Sequence, residues 1–336
     1  MTVQRERAVF AKLGVIGGGA WGTAMAQVIA GDGSDVLLWA REAEVVEAVN
    51  RDHANPVFLP GVPLSDHIRA TGDLGDLAGC DALVVVAPAQ FLRAVLAETP
   101  CAGRALLLCA KGIEAGTRRL MSEVAAEVAP GSPIAVLSGP TFAHEVAAGQ
   151  PTAITLACAD ERVGLALAER LRRPGFRPYL SQDVVGAEIG GAVKNVLAIA
   201  CGVVEGAGLG QNARAALISR GFAEMTRFGL ARGARAETLA GLSGLGDLVL
   251  TCSSTSSRNF SLGKGLGEGR SAADLLGDRR TVAEGAATAP VLAEAARAAG
   301  VDMPIVDAVC ALLAGQATVA EVVAALLARP LKQEGR

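Results

Sequence analysis

The stretch Leu13-Gly14-Val15-Ile16-Gly17-Gly18-Gly19-Ala20-Trp21-Gly22 decides how the first half of the chain folds. Its first four residues form a short apolar strand, and residues 20–30 have the composition of a helix. Between them, glycines at positions 17, 19 and 22 have the spacing of a turn that binds the diphosphate of a dinucleotide, with free N–H groups at the helix start. A purely structural turn is the alternative, because the chain contains 41 glycines.

Short apolar runs separated by helical stretches continue outward from this turn. Predicted strands lie at residues 36–39, 82–86, 105–109 and 134–137, with less apolar runs at 153–157 and 177–180. Continuous apolar strands that alternate with helices are typical of a parallel sheet covered on both faces. We therefore predict an α/β fold, with a doubly wound, Rossmann-type dinucleotide-binding domain over residues 1–183.

The pattern changes near residues 181–185, where strand-like runs almost cease. Predicted helices cover residues 184–204, 213–229, 289–299, 305–315 and 319–328, and clusters of Gly and Ser separate them. The second domain, residues 184–336, is therefore predicted to be all-helical and to carry the substrate and catalytic groups. The serine-rich stretch at 253–257 is predicted to be a loop.

Composition excludes several classes of protein. The net charge of −3, with no basic tract, gives no sign of nucleic-acid binding. The seven cysteines form no C-x-x-C pair and the three histidines have no metal-ligand spacing, so we predict reduced thiols and no metal. No apolar run reaches the roughly 18 residues that span a bilayer, and the glycine turn interrupts the apolar stretch after Arg5 and Arg7. We predict a cytoplasmic protein with no membrane segment.

Arg41 bears on the choice between NADP and NAD. An NAD site usually carries an acidic residue at the end of the second strand, about 20 residues past the glycine turn, to bind the ribose hydroxyls. Arg41 stands there instead, followed by Glu42, and a guanidinium pairs well with a 2′-phosphate. NADP is therefore favoured and NAD is retained. The alternative is a solvated arginine at a helix start.

Five further motifs follow in order along the chain. They are Ala110-Lys111-Gly112-Ile113-Glu114, Ser138-Gly139-Pro140-Thr141-Phe142-Ala143, Gly190-Gly191-Ala192-Val193-Lys194-Asn195-Val196, Gly244-Leu245-Gly246-Asp247-Leu248 and Ser257-Arg258-Asn259. In that order they closely resemble the glycerol-3-phosphate dehydrogenase family of bacterial type, over about residues 13–313. The resemblance implies a 6-phosphogluconate-dehydrogenase-like architecture. It also implies reversible reduction of dihydroxyacetone phosphate to sn-glycerol 3-phosphate with a nicotinamide cofactor, a product that feeds phospholipid synthesis.

Lys194 is the residue best suited to the chemistry of this reaction. Hydride addition to a carbonyl builds negative charge on its oxygen, which needs an acid beside it. A lysine in so apolar a helix is costly to bury unless it faces a cleft, and desolvation lowers its pKa toward a useful range. The resemblance assigns Lys194 the proton transfer, with Asn195 beside it. The alternative is a lysine that extends from a buried helix to solvent.

Lys111, Gly139 and Thr141 lie beyond predicted strand ends, the edge at which open α/β sheets bind ligands. An ammonium at Lys111 attracts an anionic substrate and helps to depress the pKa of Lys194. The resemblance places Lys111 against both substrate and cofactor, and Gly139 and Thr141 against substrate. The alternatives are a surface lysine, and a turn with a helix cap at residues 138–141.

The helical domain supplies four further substrate-binding candidates. Asp247 has a carboxylate suited to orient Lys194 or to accept a substrate hydroxyl, and a helix N-cap is its alternative role. Ser257, Arg258 and Asn259 combine a guanidinium and two hydrogen-bonding groups at a helix start, an arrangement that binds phosphate. The resemblance assigns these three residues to the substrate phosphate; a solvated loop is the alternative.

The cofactor-binding set is completed by the resemblance, and the residues alone give no separate reason for several of its members. The full set is Gly17, Gly19, Ala20, Trp21, Gly22, Arg41, Phe58, Lys111, Ala143, Arg258, Val282 and Glu284. Family members are often homodimers, and the apolar C-terminal helices suit an interface. Two alternative functions remain: a β-hydroxyacid-type reductase of the same architecture, and a non-catalytic NADP-binding sensor.

Overall fold

The computed structural model describes residues 10–277 and 283–330. Its strands are β1 Leu13–Ile16, β2 Val36–Trp39, β3 Ala54–Asn55, β4 Leu59–Pro63, β5 Ile68–Thr71, β6 Ala82–Val85, β7 Ala105–Leu108, β8 Ile134–Ser138, β9 Thr152–Cys158 and β10 Phe176–Ser181. Eight of them form one sheet in the order β10-β9-β8-β7-β6-β1-β2-β5, and β3 and β4 form a separate antiparallel pair.

The helices of the described residues fall into two groups. Those between strands are α1 Ala20–Ala30, α2 Ala43–Asp52, α3 Leu92–Glu98, α4 Met121–Val128, α5 Ala143–Ala147 and α6 Glu161–Leu171. Those after the sheet are α7 Val184–Gly206, α8 Gly210–Ala231, α9 Ala236–Leu239, α10 Asp247–Thr251, α11 Arg258–Gly267, α12 Ala272–Leu276, α13 Glu284–Ala298, α14 Pro304–Leu313 and α15 Val319–Leu327. A single π-helical turn, Leu242–Gly246, precedes α10.

The sheet has its topological switch point beside β1. Strand β1 pairs in parallel with β2 on one side and with β6 on the other, because the chain runs out to β5 and then returns. Open α/β sheets bind ligands in the crevice at the carboxyl ends of such strands. The strands of this region, β1, β6 and β7, are buried along their whole length, as their continuous apolar sequences predict.

One feature of the predicted sheet is wrong. Strand β9 runs antiparallel to β8, although the sequence predicts parallel strands throughout. The connecting helix α5 has five residues and spans only about 7.5 Å, which is shorter than the crossover helices that usually join parallel neighbours. Strand β10 then pairs with β9 in parallel after the longer helix α6.

Helix α7 forms the centre of the helical region. Its residues 186–204 are all buried, and α8, α11 and α13 pack around it. Asp183 caps its start by accepting a hydrogen bond from the Gly186 N–H at 2.8 Å. Among the described residues α7 is the one helix long and apolar enough to cross a membrane, but 89% of that apolar window is buried inside the fold, which is typical of a core helix. Strands end at Ser181 and α7 begins at Val184; the division into two domains at residue 183 stays a prediction.

Candidate active site

The glycine turn between β1 and α1 has the geometry that a dinucleotide diphosphate needs. Gly17 has a φ of 123°, and a side chain there would meet the Val86 backbone at 3.2 Å. A Cβ at Gly22 would lie 1.8 Å from the Gly17 carbonyl oxygen, so only glycine lets α1 start this close to the strand. Around Gly19 there is open space within 4 Å, and no side chain caps the helix there. The first N–H groups of α1 therefore face a space suited to phosphate oxygens.

Three other predicted cofactor residues lie around this turn. Phe58 follows β3, and its N–H donates to the Asn55 side chain at 3.1 Å, which ties its loop to the turn. Ala143 begins α5, which packs against α1. Arg41 follows β2 with a side chain that is 78% exposed, and within the described chain it pairs with Glu42. Val282 lies outside the described residues.

Lys194 and Asp247 form the buried centre of the candidate site. The face of α7 that carries Gly191, Lys194 and Asn195 has the i, i+3, i+4 spacing of one helix side. Lys194 Nζ donates to Asp247 Oδ1 at 2.7 Å and to Thr251 Oγ1 at 2.8 Å. Lys194 is 7% exposed and Asp247 is fully buried. The lysine therefore does not extend to solvent; it ends on a carboxylate.

A second lysine reaches the same carboxylate from the sheet. Lys111, beyond the end of β7, donates to Asp247 Oδ2 at 2.7 Å and to the Gly139 carbonyl at 3.2 Å. Its side chain is only 16% exposed, so it is not a surface lysine. A Cβ at Gly191 would stand 3.1 Å from Lys111 Cγ, which shows how closely α7 approaches this lysine. Asp247 thus holds two ammonium groups from two parts of the chain.

The pKa values of this cluster follow from burial and from the three charges. Burial, with a smaller effect of the Lys111 charge, lowers the pKa of Lys194 to about 8 against the opposing effect of Asp247. Burial alone would raise the pKa of Asp247, but the two ammonium groups outweigh it and hold that pKa below its ordinary value. At neutral pH the cluster therefore contains a carboxylate and a lysine that can exchange a proton.

A chain of amide hydrogen bonds fixes the surroundings of the lysines. Asn195 Nδ2 donates to the Lys111 carbonyl at 3.4 Å, and Asn259 Nδ2 donates to Asn195 Oδ1 at 3.0 Å. The Gly285 N–H then donates to Asn259 Oδ1 at 2.9 Å. These contacts join the loop after β7 to α7, α11 and α13. The Asn259 amide oxygen and one of its two N–H groups are used in these bonds, which leaves the second N–H for a ligand.

The remaining predicted site residues lie at the starts of α11 and α13. Ser257 is the N-cap of α11, and its hydroxyl accepts from the Phe260 N–H at 3.3 Å. Arg258, the first residue of α11, is exposed, and its charge acts on Glu284 at the start of α13. Burial raises the pKa of Glu284, while Arg258 opposes that shift. Thr141 bonds its own turn, donating to the Gly139 carbonyl at 3.3 Å, and α5 starts after Phe142 without a side-chain cap.

Sequence reasoning missed two residues of this arrangement. Thr251 accepts a hydrogen bond from Lys194 and lies one helical turn after Asp247, so the i, i+4 spacing from Asp247 is the signal that could have identified it. Asn55 is fully buried and bonds the glycine turn, but no local pattern marks it. The described residues contain no group of three or more His, Cys, Asp or Glu side chains placed to hold a metal ion.

A dinucleotide turn at a sheet switch point, together with a buried lysine held by a carboxylate of the helical region, defines the chain as a nicotinamide-dependent oxidoreductase. Two family models match it: the N-terminus of NAD-dependent glycerol-3-phosphate dehydrogenase over residues 12–164, and the C-terminus over residues 183–324. The chain belongs to the NAD-dependent glycerol-3-phosphate dehydrogenase family.

Individual relatives agree with this assignment. The chain is 64% identical over 327 residues to glycerol-3-phosphate dehydrogenase [NAD(P)+] 1 of Sphingopyxis alaskensis, covering 97% of this chain and 99% of the relative. It is 68% identical to the glycerol-3-phosphate dehydrogenase [NAD(P)+] of Erythrobacter litoralis, covering 96% and 98%. The crystal structure of glycerol-3-phosphate dehydrogenase from Coxiella burnetii superposes with a TM-score of 0.91 at 37% identity, covering 95% of this chain and 99% of that one.

Proposed function

We propose that this protein is an NAD(P)-dependent glycerol-3-phosphate dehydrogenase that reduces dihydroxyacetone phosphate to sn-glycerol 3-phosphate, reversibly. Family membership supports the reaction, and the observation that carries its chemistry is Lys194, buried and bonded to Asp247 at 2.7 Å. A β-hydroxyacid reductase and a non-catalytic sensor are disfavoured, because the matched family and its relatives carry the name of the glycerol phosphate enzyme.

In this proposal Lys194 is the general acid of reduction. The bound nicotinamide supplies the hydride to the carbonyl carbon. The Lys194 ammonium gives one proton to the carbonyl oxygen, and the resulting neutral amine regains a proton from solvent. A pKa near 8 suits both directions, because the protonated form predominates at neutral pH and the neutral form is close in energy. Asp247 holds the lysine in place, and Lys111 adds positive charge beside the developing alkoxide.

The substrate phosphate is assigned to the start of α11. That helix has ten residues, so its first N–H groups carry a positive partial charge, and Arg258 adds an exposed guanidinium there. Ser257 and Asn259 flank it, and Gly139 and Thr141 are assigned to the glycerol hydroxyls. The same Arg258, with Glu284, is assigned to the cofactor side of the pocket.

NADP is the proposed preferred cofactor. Arg41 stands at the end of β2 with an exposed guanidinium, where an NAD-specific site would place an acid. Initial rates with NADPH and NADH side by side test the preference, and Arg41→Ala is expected to raise the KM for NADPH more than that for NADH. Equal changes for the two cofactors would contradict it.

A homodimer in the cytoplasm, supplying glycerol 3-phosphate to phospholipid synthesis, completes the proposal. Helix α15 has no buried residue although it is largely apolar, and Leu327 on it is 81% exposed. A groove of about 390 Å³ lies between α14 and α15. Light scattering on the purified protein tests the assembly, and a monomer at micromolar concentration would refute it.

The catalytic assignment is tested with Lys194→Ala. The variant is expected to lose turnover of dihydroxyacetone phosphate while NADPH still binds, because the lysine acts on the substrate oxygen. The matched control is Lys264→Ala, which removes a 40% exposed lysine of α11 that pairs with Glu268. If Lys194→Ala keeps wild-type kcat, the assignment is wrong. If the wild type oxidises NADPH only with β-hydroxyacid precursors, the proposed substrate is wrong.

A further inference from the structure

Asn55 is a buried amide that joins three segments around the glycine turn. It lies in β3 and is fully buried. Its Nδ2 donates to the Gly18 carbonyl and to Thr23 Oγ1, both at 2.8 Å, and its Oδ1 accepts from the Phe58 N–H at 3.1 Å. Thr23 Oγ1 also donates to the Gly18 carbonyl, at 3.3 Å. Both N–H groups of the amide are therefore used, one of them on the turn itself.

These contacts determine which way the peptide between Gly18 and Gly19 faces. The described chain contains no cis peptide bonds, and in a trans peptide the C=O and the following N–H point in opposite directions. Asn55 and Thr23 hold the Gly18 carbonyl oxygen on the buried side. The Gly19 N–H therefore points away from them. A Cβ added at Gly19 would meet no atom within 4 Å, so there is room for a ligand beside this residue.

The same amide also sets the loop that carries Phe58. Because Oδ1 accepts from the Phe58 N–H while Nδ2 holds Gly18, the start of this loop is kept at a fixed distance from the turn. Gly18 and Asn55 are 37 residues apart in sequence, so this hydrogen bond is a long-range link between the glycine turn and the Phe58 loop.

We propose that Asn55 is a positioning residue for the dinucleotide cofactor: it turns the Gly19 amide toward the cofactor diphosphate and anchors the Phe58 loop beside it. The inference rests on the proposed function, since it presumes that NADP(H) binds this turn. Asn55 acts through Gly18, Gly19 and Phe58 and does not itself touch the cofactor, because the turn lies between them.

Asn55→Asp separates the two contacts of the amide. Aspartate keeps the size of the side chain and the oxygen that accepts from Phe58, but it loses the donors and sets a carboxylate against the Gly18 carbonyl. We expect the Kd for NADPH, measured by NADPH fluorescence titration, to rise by at least about tenfold, because the buried Gly18 carbonyl loses its Asn55 donor and faces a carboxylate that repels it. The KM for dihydroxyacetone phosphate at saturating NADPH should stay within about twofold, because its proposed ligands are untouched.

The matched control is Asn50→Asp. Asn50 makes the same pair of amide contacts elsewhere in the domain, donating to the Ala70 carbonyl at 2.9 Å and accepting from the Ala70 N–H at 2.8 Å. It should lose thermal stability as Asn55→Asp does, with no change in the Kd for NADPH. An equal rise in Kd in both variants would show a general loss of structure and overturn the inference.

A second variant covers the case in which Asn55→Asp does not fold. Thr23→Val preserves shape while removing the hydroxyl that bonds Gly18 and Asn55, and it should raise the Kd for NADPH by about threefold. An unchanged Kd for NADPH in Thr23→Val, or in a folded Asn55→Asp, overturns the role of Asn55 and leaves the proposed function standing. If the wild type itself binds neither NADPH nor NADH, the proposed function fails and this inference fails with it.

Discussion

Replacing Asp247 with asparagine tests the charge balance of the site directly. The substitution keeps the shape of the side chain and removes the one carboxylate that both Lys111 and Lys194 contact at 2.7 Å. At that distance and an effective dielectric constant near 20, one ion pair is worth up to about 6 kcal/mol, which sets a ceiling of about four pKa units. Ion pairs of this kind typically shift a pKa by about one to three units.

The direction of the change follows from the sign of the lost charge. Asp247 stabilises the protonated form of Lys194, so its loss lowers the pKa of Lys194 from about 8 to between about 5 and 7. Reduction needs the protonated lysine. With a pKa of about 6 its protonated fraction at pH 7.5 falls about 25-fold relative to the wild type. Oxidation of glycerol 3-phosphate needs the neutral lysine, so that reaction should instead persist to lower pH.

Initial rates of NADPH consumption and formation, measured from pH 5.5 to 9, give kcat/KM in both directions. The expected result is that the high-pH limb of reduction and the low-pH limb of oxidation both move down by the same amount. Asp183→Asn is the matched control, because Asp183 is a buried acid that caps α7 and accepts from the Arg235 N–H, with no lysine partner among the described residues. Profiles that keep their wild-type inflections in Asp247→Asn, or that move upward, would refute the reasoning.

Three further changes have expected outcomes. Arg258→Ala should raise the KM for dihydroxyacetone phosphate more than about tenfold, from loss of a charge-assisted contact worth about 1.5–3 kcal/mol; an unchanged KM excludes the phosphate role. Gly22→Ala should abolish NADPH binding in titrations, because its Cβ would lie 1.8 Å from the Gly17 carbonyl oxygen; retained binding would contradict the tight turn. Glu188→Gln should change how the free energy of unfolding depends on pH. Burial raises the pKa of Glu188 to about 7 in the fold, against 4.5 when exposed. The stability that protonated Glu188 contributes is therefore full below pH 4.5 and is lost as pH rises through 7. Urea unfolding of both proteins from pH 4.5 to 8 should show the free energy of unfolding of the wild type falling by up to about 3 kcal/mol relative to that of the variant. Parallel curves would exclude this role of Glu188. Glu224 has a similarly raised pKa, but it is present in both proteins, so its effect cancels.

The strands of the sheet core could be predicted from sequence because they are buried on both faces. Strands β1, β6 and β7 are continuous apolar runs, and each lies within a residue of its predicted bounds. Strand β5 was missed because it is an edge strand with only alternate residues buried, so its pattern is short and partly polar. Strand β4 contains two prolines and a glycine, which locally favour a turn, and it forms only by pairing with β3.

The sequence pattern does not predict the short helices after α8, because glycine and serine clusters there favour loops. In the fold, glycines let α11 cross α7 closely. A Cβ at Gly263 of α11 would lie 1.9 Å from the Ile199 carbonyl oxygen, and one at Gly202 of α7 would lie 2.1 Å from the Phe260 carbonyl oxygen. Helix propensity penalises glycine locally, whereas the close contact that it permits is a long-range property. Only the packed structure shows whether the close helix contact outweighs the low helix propensity of glycine at a given position.

The site was predictable in its residue types and not in its connections. Burial of Lys194 and the effect of Lys111 on its pKa follow from an apolar helix and a second ammonium, and the structure agrees with both. The sequence does not show that one carboxylate serves both lysines, because Lys111 and Asp247 are 136 residues apart.

This shared carboxylate has a chemical consequence. Two ammonium groups and burial alone would leave Lys194 largely neutral and unable to donate a proton. Asp247 restores a pKa near 8, at which deprotonation at pH 7 costs only about 1.4 kcal/mol, so the same lysine can act as acid in reduction and as base in oxidation.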